Sequence, residues 1–206
     1  MRAIIIANGN EFSSEFFERI REKSDYIICA DGGYKHLKRI GIEPDEVLGD
    51  FDSMDKDSVL CDNVAVYPSK KDDTDTEIAI RRALELGATD IVLLGCIGSR
   101  MDHTLANLFL LKEIYRNGAN GMLVDEHNFV YYMKDKLTVK AHRGDLLSIL
   151  PMTPVCEGVT TAGLYYVLCD DTLKMASSRG VSNVLTEDTA TITIRLGEAL
   201  VILATD

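Results

Sequence analysis

The chain has 206 residues, of which 46% are hydrophobic and 27% charged, and a formal net charge of −11. That length allows one or two domains with a real core. The acidic balance argues against non-specific binding to nucleic acid or to anionic membrane, and no apolar run approaches the length that spans a bilayer.

The apolar run at residues 3–7 ends in Asn8-Gly9 and reads as a strand buried on both faces. It is too short for the core of a signal peptide. Ser13 or Ser14 can cap a helix through Phe16, Phe17 and Ile20. A second buried strand is expected at 26–30, followed at once by Asp31-Gly32-Gly33. A helix from Tyr34 to Arg39 should stop at Gly41, a natural left-handed terminator, and Pro44 bars its continuation into the short strand Val47-Leu48. Residues 64–67 form another strand, closed by Pro68. A polar stretch from Ser69 to Glu77 leads into a helix through Ile78, Ala79, Ala83 and Leu86 that ends at Gly87. A fifth strand at 90–94 runs into a loop from Gly95 to His103, which opens a long helix through Leu105, Leu108, Leu111 and Ile114. A sixth strand follows at 121–125. Such alternation is the pattern of a mostly parallel, helix-covered α/β sheet.

Beyond Asn128 the pattern changes. Short strands are expected at 129–133, 137–141, 146–150, 155–160, 165–168, 191–195 and 199–203, with turn residues between them and no helix. That spacing suggests an all-β sandwich or jelly-roll-like domain. The boundary is placed between residues 127 and 128.

The five cysteines form no C-x-x-C pair, and no His stands at zinc spacing from any of them. An odd, unframed set fits a reducing compartment, so a soluble cytoplasmic protein is expected. His36, His127 and His142 show no partner pattern and read as surface or packing residues.

Four polar clusters fall at the ends of successive α/β strands: Asp31-Gly32-Gly33, the pair Asp50/Asp52, Lys71 to Glu77, and Gly98 to His103. Loops at the carboxyl edge of a parallel sheet converge in space. Asp50 and Asp52 lie one residue apart, so in extended chain both point to one side, where they repel each other unless a cation sits between them. Mg²⁺ escorting a phosphate is the simplest such cation, and a polar turn is the plain alternative. Carboxylates for metal, cations for phosphate and glycines that let backbone N–H groups approach an anion are the ingredients of phosphoryl-type transfer. Neither a P-loop nor a G-x-G-x-x-G fingerprint is present. Asp102 also reads as a helix cap, and Asp75 as a carboxylate favoured by the positive end of a helix in any protein.

The chain resembles the thiamine pyrophosphokinases over nearly its whole length. The resemblance rests on Asp31-Gly32-Gly33, on Leu48-Gly49-Asp50-Phe51-Asp52-Ser53, on Lys71-Asp72-x-Thr74-Asp75-x-Glu77-x-Ala79 and on Gly98-x-Arg100-x-Asp102-His103. In the β domain it rests on Gly163-Leu164-x-Tyr166 and Ser182-Asn183. It implies transfer of a pyrophosphoryl group from ATP to the hydroxyl of thiamine, giving thiamine diphosphate and AMP, in a Mg²⁺-dependent homodimer with its site at the subunit interface. Residues 1–127 would be the nucleotide- and metal-binding catalytic domain, and residues 128–206 the thiamine-binding and dimerisation domain. Asp50, Asp52 and Asp72 would be the metal and phosphate-site carboxylates, and Lys71 would hold phosphate. Asp75 would orient Lys71 or the attacking hydroxyl. Asp31, Gly32, Gly33, Thr74, Arg100, Asp102 and His103 would bind the nucleotide, while Ser182 and Asn183 would bind the aminopyrimidine of thiamine. Two features depart from the family pattern: Ser99 stands where a second glycine is common, and there is no Trp, which leaves stacking on thiamine to Tyr or Phe. Two other readings are transfer to another small alcohol and a non-catalytic thiamine or nucleotide sensor.

Overall fold

The computed structural model describes residues 1–49, 61, 63–66 and 72–205. The chain forms two compact units, Met1–Glu126 and His127–Asp206.

The first unit holds strands β1 (Arg2–Ile6), β2 (Tyr26–Ala30), β3 (Glu46–Gly49), β4 (Val64–Val66), β5 (Asp90–Leu94) and β6 (Asn120–Val124). Its helices are α1 (Ser14–Ile20), α2 (Tyr34–Ile40), α3 (Asp75–Glu85) and α4 (Met101–Arg116). The strands lie in the order β6-β5-β1-β2-β3-β4, every neighbour parallel. Helix cover on both faces is what lets Ala3, Ile4, Ile5 and Ile6 follow one another, all at 0% exposure.

Local signals set the helix ends. The Ser13 hydroxyl accepts the Phe16 N–H, which starts α1 and lets Phe16 and Phe17 turn inward. Gly41 stops α2 at φ +72°, a conformation glycine adopts without steric penalty. Thr74 caps α3 by accepting the Glu77 N–H at 3.2 Å. Gly121 in β6 lets α4 sit close, since a Cβ there would meet the side chains of Ile114 and Leu111 at 3.1 and 3.2 Å.

The second unit is all-β. Its strands are β7 (Asn128–Met133), β8 (Lys136–Lys140), β9 (Leu146–Pro151), β10 (Val155–Ala162), β11 (Asp171–Lys174), β12 (Asn183–Val184), β13 (Thr189–Thr193) and β14 (Ala199–Ala204). They form two antiparallel sheets, β12-β9-β14-β7 and β11-β10-β13-β8. Both line one core that includes Met133, Val139, Leu147, Val159, Ile192 and Val201. The fold is thus an α/β domain followed by an all-β sandwich.

The strand expected at 165–168 does not form. Gly163 turns the chain at φ +77°, and Tyr165, Tyr166 and Val167 all face solvent. The backbone of Tyr166 is held by the Asn183 side chain instead of by a strand: its N–H donates to Asn183 Oδ1 at 2.9 Å and its carbonyl accepts from Nδ2 at 2.7 Å. β10 takes β11, further along the chain, as its partner, and in the other sheet β9 gains the short β12. A local side-chain bond has displaced the ladder that β propensity favoured.

Candidate active site

The order of the parallel strands locates the cleft. From β1 the chain runs outward through β2, β3 and β4, then returns to lay β5 on the other side of β1. The topological switch point is therefore between β1 and β5, and ligands of open α/β sheets bind outside the carboxyl ends of the strands at such a point. A cavity of about 310 Å³ opens there, lined by Asn8 and Gly9 after β1, Ala30 and Asp31 at the end of β2, Thr74 and Asp75 at the start of α3, and Gly98, Arg100 and His103 at the start of α4.

Close backbone approach builds this cleft. The Gly9 N–H donates to the Gly95 carbonyl and the Asn10 N–H to the Ile97 carbonyl, each at 2.6 Å. A Cβ on Gly9 would lie 2.9 Å from the carbonyl carbon of Gly95. A Cβ on Gly32 would meet the Asn8 amide at 2.5 Å, and one on Gly49 would meet Asp31 Cβ at 3.1 Å. Asp31 itself takes φ +42°, unusual for a residue with a side chain, as it begins a single 3₁₀ turn, Asp31–Gly33, that leads into α2.

The loop after β5 is tied to α4 by two side chains. Thr104 Oγ1 accepts the Gly98 N–H at 3.1 Å, and buried Asn107 donates to the Cys96 carbonyl at 2.8 Å. Burial pushes the Cys96 thiol up to about 12, so it packs as a neutral group. Asp102 does not cap α4: the N-cap is Arg100, which makes no side-chain cap bond. Asp102 instead clasps Arg100, taking Nη2 at 2.6 Å and Nε at 3.2 Å. The guanidinium, with help from the His103 N–H, lowers the Asp102 carboxyl to about 2. The first turns of α3 and α4 border the cleft, so their N–H groups and positive dipole ends favour an anion there.

Of the site residues expected from sequence, Asp31, Thr74, Asp75, Arg100 and His103 line one cavity. Gly32 and Gly33 are buried beneath it, and Asp102 reaches it through Arg100. Asp72 is exposed and is not among the lining residues. Asp50, Asp52 and Lys71 lie outside the described residues. Among the described residues no three His, Cys, Asp or Glu side chains gather closely enough to hold a metal. The described donors at the cleft include the carboxylates of Asp31 and Asp75, beside the His103 imidazole. That chemistry suits a hard cation such as Mg²⁺, which takes one or two carboxylates together with substrate phosphates.

Sequence reasoning passed over Asn8, Gly9, Thr104 and Asn107. Asn8-Gly9 carried a signal, a Gly-containing turn at the end of the first buried strand. Thr104 and Asn107 carried none, because a polar residue inside a helix ordinarily faces solvent.

In the second unit Ser182 is exposed at φ +57°, with its N–H on Ser148 Oγ at 3.0 Å. Asn183 is buried, and its side chain bonds Tyr166 twice and Val184 once. Arg179 pairs with Asp171 at 2.6 Å.

Residues 17–123 match the family model described as thiamin pyrophosphokinase, catalytic domain, and residues 135–201 the one described as thiamin pyrophosphokinase, vitamin B1 binding domain. The chain is 28% identical over 186 residues to a thiamine pyrophosphokinase of Bacillus subtilis (strain 168), covering 87% of each. Among solved structures, thiamin pyrophosphokinase from Geobacillus thermodenitrificans superposes with a TM-score of 0.87 at 26% identity, over 100% of this chain and 98% of that one. Yeast thiamin pyrophosphokinase, at 17% identity, shares the fold with a TM-score of 0.79 over 98% of this chain and 86% of its own.

Proposed function

The chain belongs to the thiamin pyrophosphokinase family, and from that premise we propose that it transfers the pyrophosphoryl group of ATP to the hydroxyl of thiamine by in-line attack at the β-phosphorus. The products are thiamine diphosphate and AMP. The observation that carries this reading is the cleft at the switch point, where Asp31, Asp75 and Arg100 face one cavity beside two helix N-termini.

In this reading ATP lies along the carboxyl edge of the sheet. Lys71 and Arg100 hold its phosphates, and the backbone N–H groups of the glycine-rich turns come close to them. Asp50, Asp52 and Asp72 hold Mg²⁺, which when bound supplies charge neutralisation on the transferring phosphates. Asp75 takes the proton of the thiamine hydroxyl or orients Lys71. Phosphoryl-type transfer asks mainly for positioning and fixed charge, so a modest base suffices. Thiamine is bound through the second unit, with Ser182 and Asn183 at its aminopyrimidine. Among the described residues one amide N–H of Asn183 is used, on the Tyr166 carbonyl, and the other remains to donate. The active form is a homodimer whose site lies at the subunit interface. An odd set of cysteines with no C-x-x-C framework accords with a cytoplasmic enzyme, and among the described residues no helix is long and apolar enough to cross a membrane.

The test mixes the protein with ATP, Mg²⁺ and thiamine and separates the products by chromatography. AMP and thiamine diphosphate should appear in equal amounts, and only with metal. ADP with thiamine monophosphate would move the attack to the γ-phosphorus and overturn the mechanism. Binding of both ligands without turnover would favour the sensor. Asp50→Asn and Asp72→Asn should each lower turnover by roughly a hundredfold or more while leaving the fold intact. Near-full activity in both would remove the metal-site assignment.

A further inference from the structure

The buried stripe of α4 changes character along its length. Its buried residues are Thr104, Asn107, Leu111 and Ile114, at helical spacing. The last two are apolar and pack toward Gly121 of β6. The first two are polar, although Thr104 is 8% exposed and Asn107 7%. A polar side chain is costly to bury unless it is bonded, and valine or leucine would fill the same space without that cost. What Thr104 and Asn107 add is therefore to be found in their bonds, and both reach the loop between β5 and α4.

Glycines at 95 and 98 leave that loop conformationally free, so its peptides must be fixed from outside. Four successive carbonyls are each taken. Those of Gly95 and Ile97 accept the Gly9 and Asn10 N–H groups at 2.6 Å. The Cys96 carbonyl accepts Asn107 Nδ2 at 2.8 Å. The Gly98 carbonyl accepts the Thr104 hydroxyl at 3.3 Å, and the same hydroxyl accepts the Gly98 N–H at 3.1 Å. Backbone of the turn after β1 thus holds two of the carbonyls, and α4 side chains hold the two that alternate with them. Among the described residues, Asn107 and Thr104 make the only hydrogen bonds to the Cys96–Ile97 and Gly98–Ser99 peptides.

In a trans peptide the N–H points opposite its carbonyl. With the Cys96 and Gly98 carbonyls turned onto buried side chains of α4, the Ile97 and Ser99 N–H groups are turned away from that helix. Neither has a partner among the described residues. Ser99 stands between Gly98 and Arg100, which both line the cavity. A loop whose carbonyls are all occupied offers an anion donors and no acceptors. Released, either peptide could turn over and set a carbonyl oxygen where it would repel phosphate.

We propose that Thr104 and Asn107 are positioning residues of the nucleotide cleft, holding the Gly98 and Cys96 carbonyls on the buried face of α4 and away from the polyphosphate. This rests on the reading of the cavity as the ATP site. The test measures ATP affinity by calorimetry, with melting temperature alongside, in wild type, Thr104→Val, Thr104→Ser, Asn107→Leu and Ile114→Val. Valine keeps the shape of threonine and loses the hydroxyl, whereas serine keeps the hydroxyl and loses a buried methyl. Both should melt below wild type, one for an orphaned N–H and the other for lost packing. They part in affinity. Thr104→Val weakens ATP binding about tenfold or more, equivalent to ~1.4 kcal/mol, while Thr104→Ser stays within about threefold of wild type. Asn107→Leu, which removes the donor to the Cys96 carbonyl, weakens binding as Thr104→Val does, and it carries the test should Thr104→Val fail to fold. Ile114→Val, in the apolar half of the same stripe, melts lower and binds ATP like wild type. Wild-type affinity in Thr104→Val or in Asn107→Leu, equal weakening in Thr104→Val and Thr104→Ser, or affinity that follows melting temperature across the set overturns the proposal. A wild type that binds ATP and forms no AMP defeats the catalytic reading alone, and the same affinities still decide the two roles. A wild type that binds no ATP defeats the reading of the cavity and this proposal with it.

Discussion

Gly9→Ala is the sharpest test of how the cleft is built. The added Cβ would stand 2.9 Å from the Gly95 carbonyl carbon and closer still to the carbonyl oxygens of Gly95 and Ile97. All three are backbone atoms, so no rotamer change relieves the clash and the turns after β1 and β5 must part. The bonds from the Gly9 and Asn10 N–H groups, both 2.6 Å, would stretch together. Losing much of two such bonds costs about 1 kcal/mol each. Overpacking adds about 1–2 kcal/mol, which brings the loss to about 3–4 kcal/mol. For a chain of this size that is a fall in melting temperature of about 6–16 °C. Calorimetric melting reads it directly, and ATP titration should show affinity weakened by about tenfold or more. Gly41→Ala is the control: it forces a side chain into φ +72° but meets no atom within 4 Å. It should cost about 1 kcal/mol and leave ATP affinity unchanged. A Gly9→Ala protein that melts and binds ATP like wild type would refute the close approach of the two turns.

Arg82→Met should destabilise by about 2 kcal/mol in chemical denaturation, since it strands Glu46, whose side chain is 6% exposed and takes Arg82 Nε at 2.9 Å. The figure is set below that of a fully buried pair because the Arg82 side chain is 35% exposed. Adding Glu46→Gln should recover about half of the loss. Asn183→Ala should free the loop at Tyr166, lower stability by about 1–2 kcal/mol and raise KM for thiamine while leaving KM for ATP unchanged; equal shifts in both would separate Asn183 from the thiamine site. The Asp102 carboxyl, drawn down to about 2 by Arg100, should show that midpoint by NMR. Because its folded value lies below its free value, the contribution of the clasp is complete above pH 4 and is lost as pH falls toward 2. In Arg100→Gln the midpoint should rise toward the free value of about 3.9, the His103 N–H still holding it below.

The strands of the first unit were legible because burial on both faces leaves a signature in the chain itself: unbroken apolar runs such as Ala3 to Ile6 and Ile91 to Leu94, all nearly inaccessible. Helix ends marked by Ser13 and Gly41 were equally plain. The neighbours of a strand are another matter. Nothing local says that β5 pairs with β1, yet that pairing brings Asn8 and Gly9 against Gly98 and Arg100. Motif residues of the cleft could thus be named from sequence, while the turn they close upon could not. The residues at 165–168 failed for a related reason. Their alternating and aromatic character favours a strand, but the buried Asn183, 17 residues further on, captures the Tyr166 backbone. Likewise His36 stands on the buried side of a helix and packs on the ring of Phe12, 24 residues earlier, and no spacing rule reaches that far.

The clasp between Arg100 and Asp102 bears on how the cleft would meet a polyphosphate. At first sight the pair looks closed, since the guanidinium is bound by a carboxylate at 2.6 Å. Yet Asp102 takes only Nε and one N–H of Nη2, which leaves three of the five N–H donors of the fork. Both side chains are largely exposed, so the pair contributes little to stability. What it does is fix the plane of the guanidinium at the edge of the cavity. An arginine held in one plane loses less freedom when it takes a phosphate than one that swings in solvent. Arg100 is itself the N-cap of α4 and makes no side-chain cap bond. A carboxylate clasped to arginine and a helix start with no side-chain cap therefore work together: Asp102 takes the His103 N–H and orients the cation, and the N–H groups of Met101 and Asp102 stand at the helix end where negative charge is expected.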